Sequence, residues 1–322
     1  MTAKRIVTVT LNPALDMTGA MGELKPGAVN LIQRSNLNPG GKGVNVAKVL
    51  AELGAEVSVT GFLGDDNQDP FAHLFEQKGI KDRFVRVHGA SRINVKLVEE
   101  TGRVTDLNFP GVEVSEQNIA ALEETLLSLA ENHDLFVIAG SLPGGLSPAR
   151  LADWIAMLRE KGKKVFFDSS NAALKAGLKA CPSLVKPNDE ELSQWAERHL
   201  TTKEELLQAG RELQATGIEN IVISRGAEGV LWLKDGVWMA SQPPRMKVVS
   251  TVGAGDTLVA GMCWAEVNEW DRETSLSFAI ALSALAVTQV NVGVDDIAQV
   301  EALQREISVK QINDNEGTGV ER

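Results

Sequence analysis

Short apolar segments rich in Val, Ile and Thr alternate with helical patterns along most of the chain. The first segment covers residues 6–11 and is long enough for a buried strand. Further strand patterns lie at residues 57–62, 135–139, 164–167, 183–185 and 221–224, with helical patterns after most of them. This alternation is typical of an α/β protein, so we predict a mostly parallel central sheet with helices on both faces.

Two stretches without helical periodicity interrupt this alternation, at about residues 13–36 and 84–110. We predict that their short β segments pair into a small separate sheet. Such a sheet would form a lid over the carboxyl ends of the main strands, where open α/β sheets bind ligands. The predicted organisation is one domain over residues 1–310 carrying these lid strands, followed by a polar tail at 311–322.

The stretch at residues 250–261 carries the strongest chemical signal. Gly253, Ala254 and Gly255 precede Asp256, and an apolar helical pattern follows. Small residues let the free backbone amides of a helix N-terminus approach a ligand, and the helix dipole favours an anion there. Asp256 could accept a proton from a hydroxyl group that attacks a phosphoryl group. Alternatively, it is an ordinary carboxylate favoured by the helix dipole, and this stretch alone leaves both interpretations open.

A second glycine-rich stretch, residues 38–45, precedes another helical pattern. Gly41 and its neighbours surround Lys42, and Asn45 follows one residue into the pattern. The stretch lacks the Gly-x4-Gly-Lys-Ser/Thr spacing, which excludes a Walker-type NTPase. Lys42 would supply charge and Asn45 hydrogen bonds to a polar ligand, whereas the alternative is an ordinary strand-to-helix turn.

Polar residues also stand within the predicted lid. Arg92, Asn94 and Lys96 alternate on one strand and therefore share a face. A basic face suits a phosphate group, but it could equally be a solvated face. Asp16 lies just beyond the first strand, where a turn former and a ligand-binding carboxylate are the two alternatives.

Two further stretches follow later strands. Lys186 precedes Asn188 and Glu191, which lie three residues apart at a helix start. Asn188 and Glu191 could hold Mg²⁺ through its waters, and they fit a capping box equally well. Residues 224–229 form a glycine-rich turn suited to the edge of a nucleotide, although this pattern is not diagnostic.

Composition excludes several classes of protein. The formal net charge of −11 disfavours broad binding to nucleic acid or to an anionic membrane. Two cysteines cannot form a disulfide scaffold, and no apolar run of about 18 residues is present. The four histidines show no zinc-binding spacing. Because the chain enters a strand without a signal-peptide pattern, we expect a cytoplasmic protein.

The order of these motifs resembles the PfkB (ribokinase-like) family of sugar kinases over residues 6–294. The two specific marks are residues 40–47, Gly-Gly-Lys-Gly-Val-Asn-Val-Ala, and residues 251–257, Thr-Val-Gly-Ala-Gly-Asp-Thr. The resemblance implies a ribokinase-like fold, ATP and Mg²⁺ as cofactors, a sugar phosphate as substrate and a homodimer formed through the lid.

The resemblance also implies roles for individual residues. Asp256 would be the base, and the amides of Gly253, Ala254 and Gly255 would form the anion hole. The sugar phosphate would be held by Asp16, Gly41, Lys42, Asn45, Arg92, Asn94 and Ser141. Lys186, Asn188, Ser224, Gly226 and Gly229 would face ATP, with Glu191 organising hydrated Mg²⁺. Arg225 is bulky for this nucleotide loop and would either contact an ATP phosphate or point to solvent.

Four runs, at residues 11–16, 61–68, 92–97 and 140–145, indicate the substrate by the same resemblance. They are similar to those of family members that phosphorylate fructose 1-phosphate at its 6-hydroxyl, giving fructose 1,6-bisphosphate. Kinases of tagatose 6-phosphate and fructose 6-phosphate share much of this pattern and remain alternatives. A non-catalytic sugar-phosphate sensor is the alternative of another class, but it would be expected to lack Asp256 or the glycines before it.

Overall fold

A large, mostly parallel sheet forms the centre of the molecule, as predicted. The structure is a computed structural model and describes residues 5–289, 292–294 and 296–312. The strands of the large sheet are β1 (Arg5–Thr10), β4 (Glu56–Gly64), β5 (Lys81–Asp82), β6 (Val85–Val87), β9 (Leu135–Ala139), β10 (Lys164–Asp168), β11 (Leu184–Val185), β12 (Asn220–Ser224), β13 (Val230–Lys234), β14 (Val237–Ser241) and β15 (Val309–Ile312).

The strand order places β1 near the middle of the parallel part. The order is β15-β14-β13-β12-β11-β10-β9-β1-β4-β5, and β6 also pairs with β4. Pairing is parallel from β12 to β5, whereas β13, β14 and β15 extend the sheet antiparallel. Because helices cover both faces of β1, every residue from Ile6 to Thr10 is buried, rather than alternate residues only.

Helices pack on both faces of the large sheet and form two apolar cores. One core includes Leu122, Trp154 and Leu213, and the other includes Leu50, Phe71 and Leu276. The helices are α1 (Lys42–Glu52), α2 (Asp69–Lys78), α3 (Glu116–Ala130), α4 (Pro148–Glu160), α5 (Asn171–Leu178), α6 (Asp189–Ala196), α7 (Lys203–Gln214), α8 (Ala254–Val267), α9 (Arg272–Ala286) and α10 (Ile297–Gln304).

The predicted small separate sheet is confirmed. It consists of β3 (Arg34–Gly40), β2 (Ala14–Met21), β7 (Arg92–Glu99) and β8 (Val104–Asn108), in that order. The strand β2 pairs antiparallel with β3 and parallel with β7, and β7 pairs antiparallel with β8. Because β3 ends at Gly40, the small sheet leads directly into helix α1.

The end of the described chain returns to the large sheet. The strand β15 pairs with β14 and includes residues 311 and 312, which begin the stretch predicted as a polar tail. Residues 313–322 of that prediction lie outside the described residues. Within the described part of the chain, no helix is long and apolar enough to cross a bilayer.

Candidate active site

Five neighbouring parallel strands end at the same edge of the large sheet and bring the candidate residues together. Asn12 follows β1, Ser141 follows β9, Asp168 ends β10, Lys186 follows β11, and Ser224 ends β12. Their meeting is a consequence of parallel pairing, since the carboxyl ends of all these strands point the same way.

Helix α8 begins close to this edge, and Gly253 is its N-cap residue. Gly253 has φ = 77°, which an L side chain rarely adopts, and a Cβ there would overlap Cγ2 of Val292. Both the backbone conformation and the space therefore require glycine. The amides of Ala254 and Gly255 lie in the first turn, where α-helices leave N–H groups without intrahelical partners.

Asp256 lies in the same first turn and is almost completely buried, with 7% exposure. Its Oδ2 accepts a hydrogen bond of 2.7 Å from Nδ2 of Asn45 in helix α1. Burial raises the pKa of Asp256 to about 6, with a further increase from the Asp168 carboxylate, while Lys42 and Asn45 oppose the shift. With that pKa, Asp256 is mainly ionised at pH 7.

Asp168 joins the two candidate lysines, and the sequence analysis did not single it out. Its carboxylate, 2% exposed, lies 2.9 Å from Nζ of Lys42 and 3.5 Å from Nζ of Lys186. Burial disfavours the Lys42 ammonium, but the Asp168 and Asp256 carboxylates outweigh burial and raise the pKa of Lys42. Asp168 thereby keeps two cations beside Asp256. The signal that could have found it is an acidic residue directly after a buried strand.

The small sheet brings Asp16, Arg92 and Asn94 together. Asn94 Nδ2 donates a 3.0 Å hydrogen bond to Asp16 Oδ1, since the two residues are paired across β2 and β7. Burial raises the pKa of Asp16, although Asn94 and Arg92 oppose the increase. Among the described residues, Nε of Arg92 and Oδ1 of Asn94 are buried without a hydrogen-bond partner. Buried polar atoms of this kind require a water molecule or a polar ligand to satisfy them. Lys96 shares their face but pairs with Asp106 at 3.2 Å.

Ser141 is held by Asn12, a second residue that the sequence analysis missed. Asn12 Nδ2 donates to Ser141 Oγ at 3.2 Å and to the carbonyl of Leu142 at 3.1 Å. Asn12 therefore fixes the loop after β9 at the end of β1. An asparagine before proline is a common turn signal, and no local pattern distinguishes such a turn residue from one with a longer-range role.

Asn188 and Glu191 form the capping box that the sequence analysis kept as an alternative. Asn188 Oδ1 accepts from the Glu191 amide at 2.7 Å, and Glu191 Oε2 accepts from the Asn188 amide at 3.0 Å. Glu191 nevertheless contributes to the raised pKa of Lys42, so its carboxylate lies within electrostatic reach of that ammonium. Capping and a role in the site are therefore compatible.

The loop between β12 and β13 is a short 3₁₀ turn, Gly226–Glu228. Ser224 forms an isolated parallel β-bridge with Asn188, the N-cap residue of α6, which places the loop beside that helix. Gly226 and Gly229 have φ of 54° and 95°, and a Cβ on Gly229 would overlap the Ser241 carbonyl. The Arg225 guanidinium, whose position the sequence left open, pairs with the Glu228 carboxylate across this turn.

The fold and this arrangement of residues define a ribokinase-like sugar kinase. The sequence matches the family described as pfkB family carbohydrate kinase over residues 10–298, and the chain belongs to that family. The predicted family and fold are thus confirmed, and the chain is a phosphotransferase of a class that uses ATP.

Relatives and solved structures cover nearly the whole chain. A 1-phosphofructokinase of Vibrio cholerae is 60% identical over 309 residues, which are 96% of this chain and 98% of that protein. The 1-phosphofructokinase of Escherichia coli K12 is 46% identical over 97% of this chain and 100% of its own length. The crystal structure of phosphofructokinase-2 from Escherichia coli with substrates and products superimposes with a TM-score of 0.87 at 27% identity, covering 94% of this chain and 99% of that one.

Proposed function

We propose that this enzyme transfers the γ-phosphoryl group of ATP to the 6-hydroxyl of fructose 1-phosphate, giving fructose 1,6-bisphosphate. The observation that carries the reaction type is the buried, ionisable Asp256 at the start of α8, beside the Lys42–Asp168–Lys186 ion cluster. The choice of fructose 1-phosphate is supported by the 1-phosphofructokinases at 60% and 46% identity.

In this proposal, Asp256 accepts the proton of the attacking hydroxyl. One of its oxygens is occupied by Asn45, which fixes the orientation of the carboxylate and leaves the other oxygen for the substrate. The amides of Gly253, Ala254 and Gly255 hold the transferring phosphoryl group through the positive end of the helix. Phosphoryl transfer requires positioning and charge stabilisation more than covalent catalysis, and these groups supply both.

The sugar phosphate would lie between the small sheet and the edge of the large one. Asp16 and Asn94 present paired polar groups for sugar hydroxyls, together with Lys42 and the backbone of Gly41. Arg92, with its buried Nε free of a protein partner, is placed to bind the phosphate together with Ser141. Burial disfavours the charged guanidinium of Arg92 and lowers its pKa, and a bound phosphate would offset that cost.

ATP would occupy the side of the site that carries Lys186, Asn188 and the loop from Ser224 to Gly229. The capping bond uses Oε2 of Glu191, so the other carboxylate oxygen can meet a water of hydrated Mg²⁺. An oxygen donor near triphosphate is the environment that Mg²⁺ prefers, and the ion would neutralise charge on the phosphates.

Two free cysteines are compatible with a reducing cytoplasm, which also supplies ATP.

The substrate can be tested with a coupled assay of ADP release against three sugar phosphates. We expect the specificity constant for fructose 1-phosphate to exceed those for fructose 6-phosphate and tagatose 6-phosphate by at least about tenfold, because a misplaced phosphate leaves Arg92 unpaired. A preference for either 6-phosphate would keep the reaction and reject the substrate. Absence of turnover with all three would favour the non-catalytic sensor, which the intact Asp256 and its glycines argue against.

The outer face of the small sheet supports a homodimer through the lid. Side chains directly opposite one another lie on one face of a sheet. One such row is apolar and consists of Leu37, Met17, Val95 and Leu107. The adjacent row lies on the opposite face and consists of the polar residues Asn38, Asp16, Asn94 and Asn108. The loop before β3 adds Val29 and Leu31, which are 90% and 81% exposed. An exposed apolar face of this kind marks an interaction surface, and a second copy of the chain is the cover that we propose for it.

Leu107→Asp is therefore expected to convert a dimer into a monomer at micromolar concentration, because the new charge would be buried against the partner. Sedimentation velocity of the wild type and the variant measures this. Val248→Asp, at an exposed apolar residue outside the small sheet, is the control and should remain a dimer. A wild-type chain that sediments as a monomer would argue against the interface.

A further inference from the structure

Glu52 is the last residue of helix α1, where the negative end of the helix dipole disfavours a carboxylate. Its side chain is also mostly buried, with 12% exposure. A charge that is unfavourable both by position and by burial needs compensating contacts. Those contacts connect it to a distant part of the chain.

Both oxygens of the Glu52 carboxylate are engaged. Oε2 accepts a 2.6 Å hydrogen bond from the backbone amide of Val294, and Oε1 lies 2.6 Å from Nζ of Lys78 at the end of α2. The Gln289 side chain donates to the carbonyl of Gly293 at 2.7 Å. The segment 292–294 is therefore fixed from two sides, and Glu52 provides one of them.

The same segment packs on the beginning of helix α8. The side chain of Val292 lies so close to Gly253 that a Cβ on that glycine would overlap Val292 Cγ2. Gly253 is the N-cap of α8, and its left-handed conformation sets the direction of the peptide planes that follow. A displacement of Val292 would therefore remove the support on which this conformation rests.

We infer that Glu52 is a positioning residue for the phosphoryl-binding amides, acting through segment 292–294. It holds that segment by the Val294 amide, the segment holds Gly253 by Val292, and Gly253 aims the amides of Ala254 and Gly255. Glu52 touches neither substrate nor reacting atoms. Helix α1 thus serves the site at both ends, since Asn45 near its start contacts Asp256. The effect of Glu52 on catalysis rests on the proposed function, whereas its effect on the position of segment 292–294 and Gly253 does not.

Three variants separate the contacts. Glu52→Ala removes both, Glu52→Gln keeps an oxygen that can accept from the Val294 amide, and Lys78→Met removes only the ion pair. We expect Glu52→Ala to lower kcat about tenfold to a hundredfold with the KM for the sugar phosphate within about twofold, because small displacements of positioning groups act on the transition state. Glu52→Gln and Lys78→Met should stay within about threefold of wild type. Glu56→Ala, an exposed glutamate paired with Lys81, is the matched control.

Hydrogen–deuterium exchange measures the same effect without turnover. Peptides covering residues 250–258 should exchange several-fold faster in Glu52→Ala than in Glu52→Gln or wild type, while peptides from α4 remain unchanged. Unchanged exchange at 250–258 would overturn the inference, as would an equal increase in the Gln variant. Loss of protection in α4 as well would also overturn it, because Glu52 would then support the whole domain. If the wild type phosphorylated no sugar, the proposed function would fail, and the exchange result would still decide this inference.

Discussion

Asp256→Asn is expected to lower kcat for the phosphorylation of fructose 1-phosphate about a thousandfold, because general-base catalysis contributes about 10²–10⁴ to the rate. Asparagine has nearly the same shape but cannot accept the hydroxyl proton. Steady-state ADP release gives kcat and KM, and equilibrium titration gives the affinity for ATP. We expect ATP affinity within about threefold of wild type, because the amides of the anion hole remain in place.

Protein stability distinguishes this role from an ordinary helix-terminal carboxylate. Burial disfavours the ionised form of Asp256, which is the main cause of its raised pKa. A neutral asparagine at this site should therefore leave the free energy of unfolding unchanged or increase it. If Asp256 were instead a carboxylate that stabilises the helix dipole, its neutralisation would lower the free energy of unfolding by up to about 1 kcal/mol.

Asp69 provides the matched control because it occupies the first turn of α2, is exposed and lies outside the proposed site. Asp69→Asn should change stability slightly and leave kcat unchanged. Near-wild-type turnover by Asp256→Asn would remove Asp256 from the role of base, whatever the stability result. Loss of ATP binding in that variant would instead assign it to nucleotide recognition.

The fold could be predicted from sequence because burial on both faces of a parallel sheet leaves a local signal. The β-branched run of β1, Ile-Val-Thr-Val-Thr, marks a central strand, and the small residues 253–255 mark the start of helix α8. The small sheet could be predicted as an interruption of that pattern. The register of the small sheet could not be predicted. Asp16 and Asn94, which pair across it, are 78 positions apart, and neither local sequence indicates its partner.

Contacts between distant residues account for what the sequence did not reveal. Asp168 is one acidic residue among many in the sequence, and only the topology places it between Lys42 and Lys186. The same holds for Asn45 and Asp256, which are 211 positions apart. The pKa of Asp256 follows from burial and from these contacts, which together hold it above the ordinary value of an aspartate.

Asp168→Asn is expected to have the second large effect, on both stability and turnover. Removing this carboxylate leaves the ammonium of Lys186, itself buried, without its ion-pair partner. Breaking a buried ion pair on one side costs about 3–5 kcal/mol, so the free energy of unfolding in urea should fall by roughly that amount. The kcat should fall at least about tenfold, because both lysines lose the group that fixes them.

The pH profile provides a readout that a purely structural role would not change. In the wild type, kcat/KM should fall as the pH drops through about 6, since protonated Asp256 cannot accept a proton. The Asp168 carboxylate is one cause of that raised pKa, so its removal lowers the pKa of Asp256 and moves the acid limb to lower pH. In the pH profile of kcat/KM, the plateau of the Asp168→Asn variant should thus be lower than that of the wild type, and its acid limb should lie at lower pH.

Below pH 6, the lower plateau decreases the kcat/KM of the variant, whereas the displacement of the acid limb increases it relative to that plateau. This opposition makes the pH profile a decisive test of the electrostatic coupling between Asp168 and Asp256. Asp153→Asn, at an exposed position on α4, controls for loss of one negative charge from the whole protein and should leave the profile in place. A lower plateau with an unmoved acid limb would mean that Asp168 only supports the fold. An acid limb displaced to higher pH would contradict the coupling itself, because losing a neighbouring anion cannot make the Asp256 carboxylate harder to ionise.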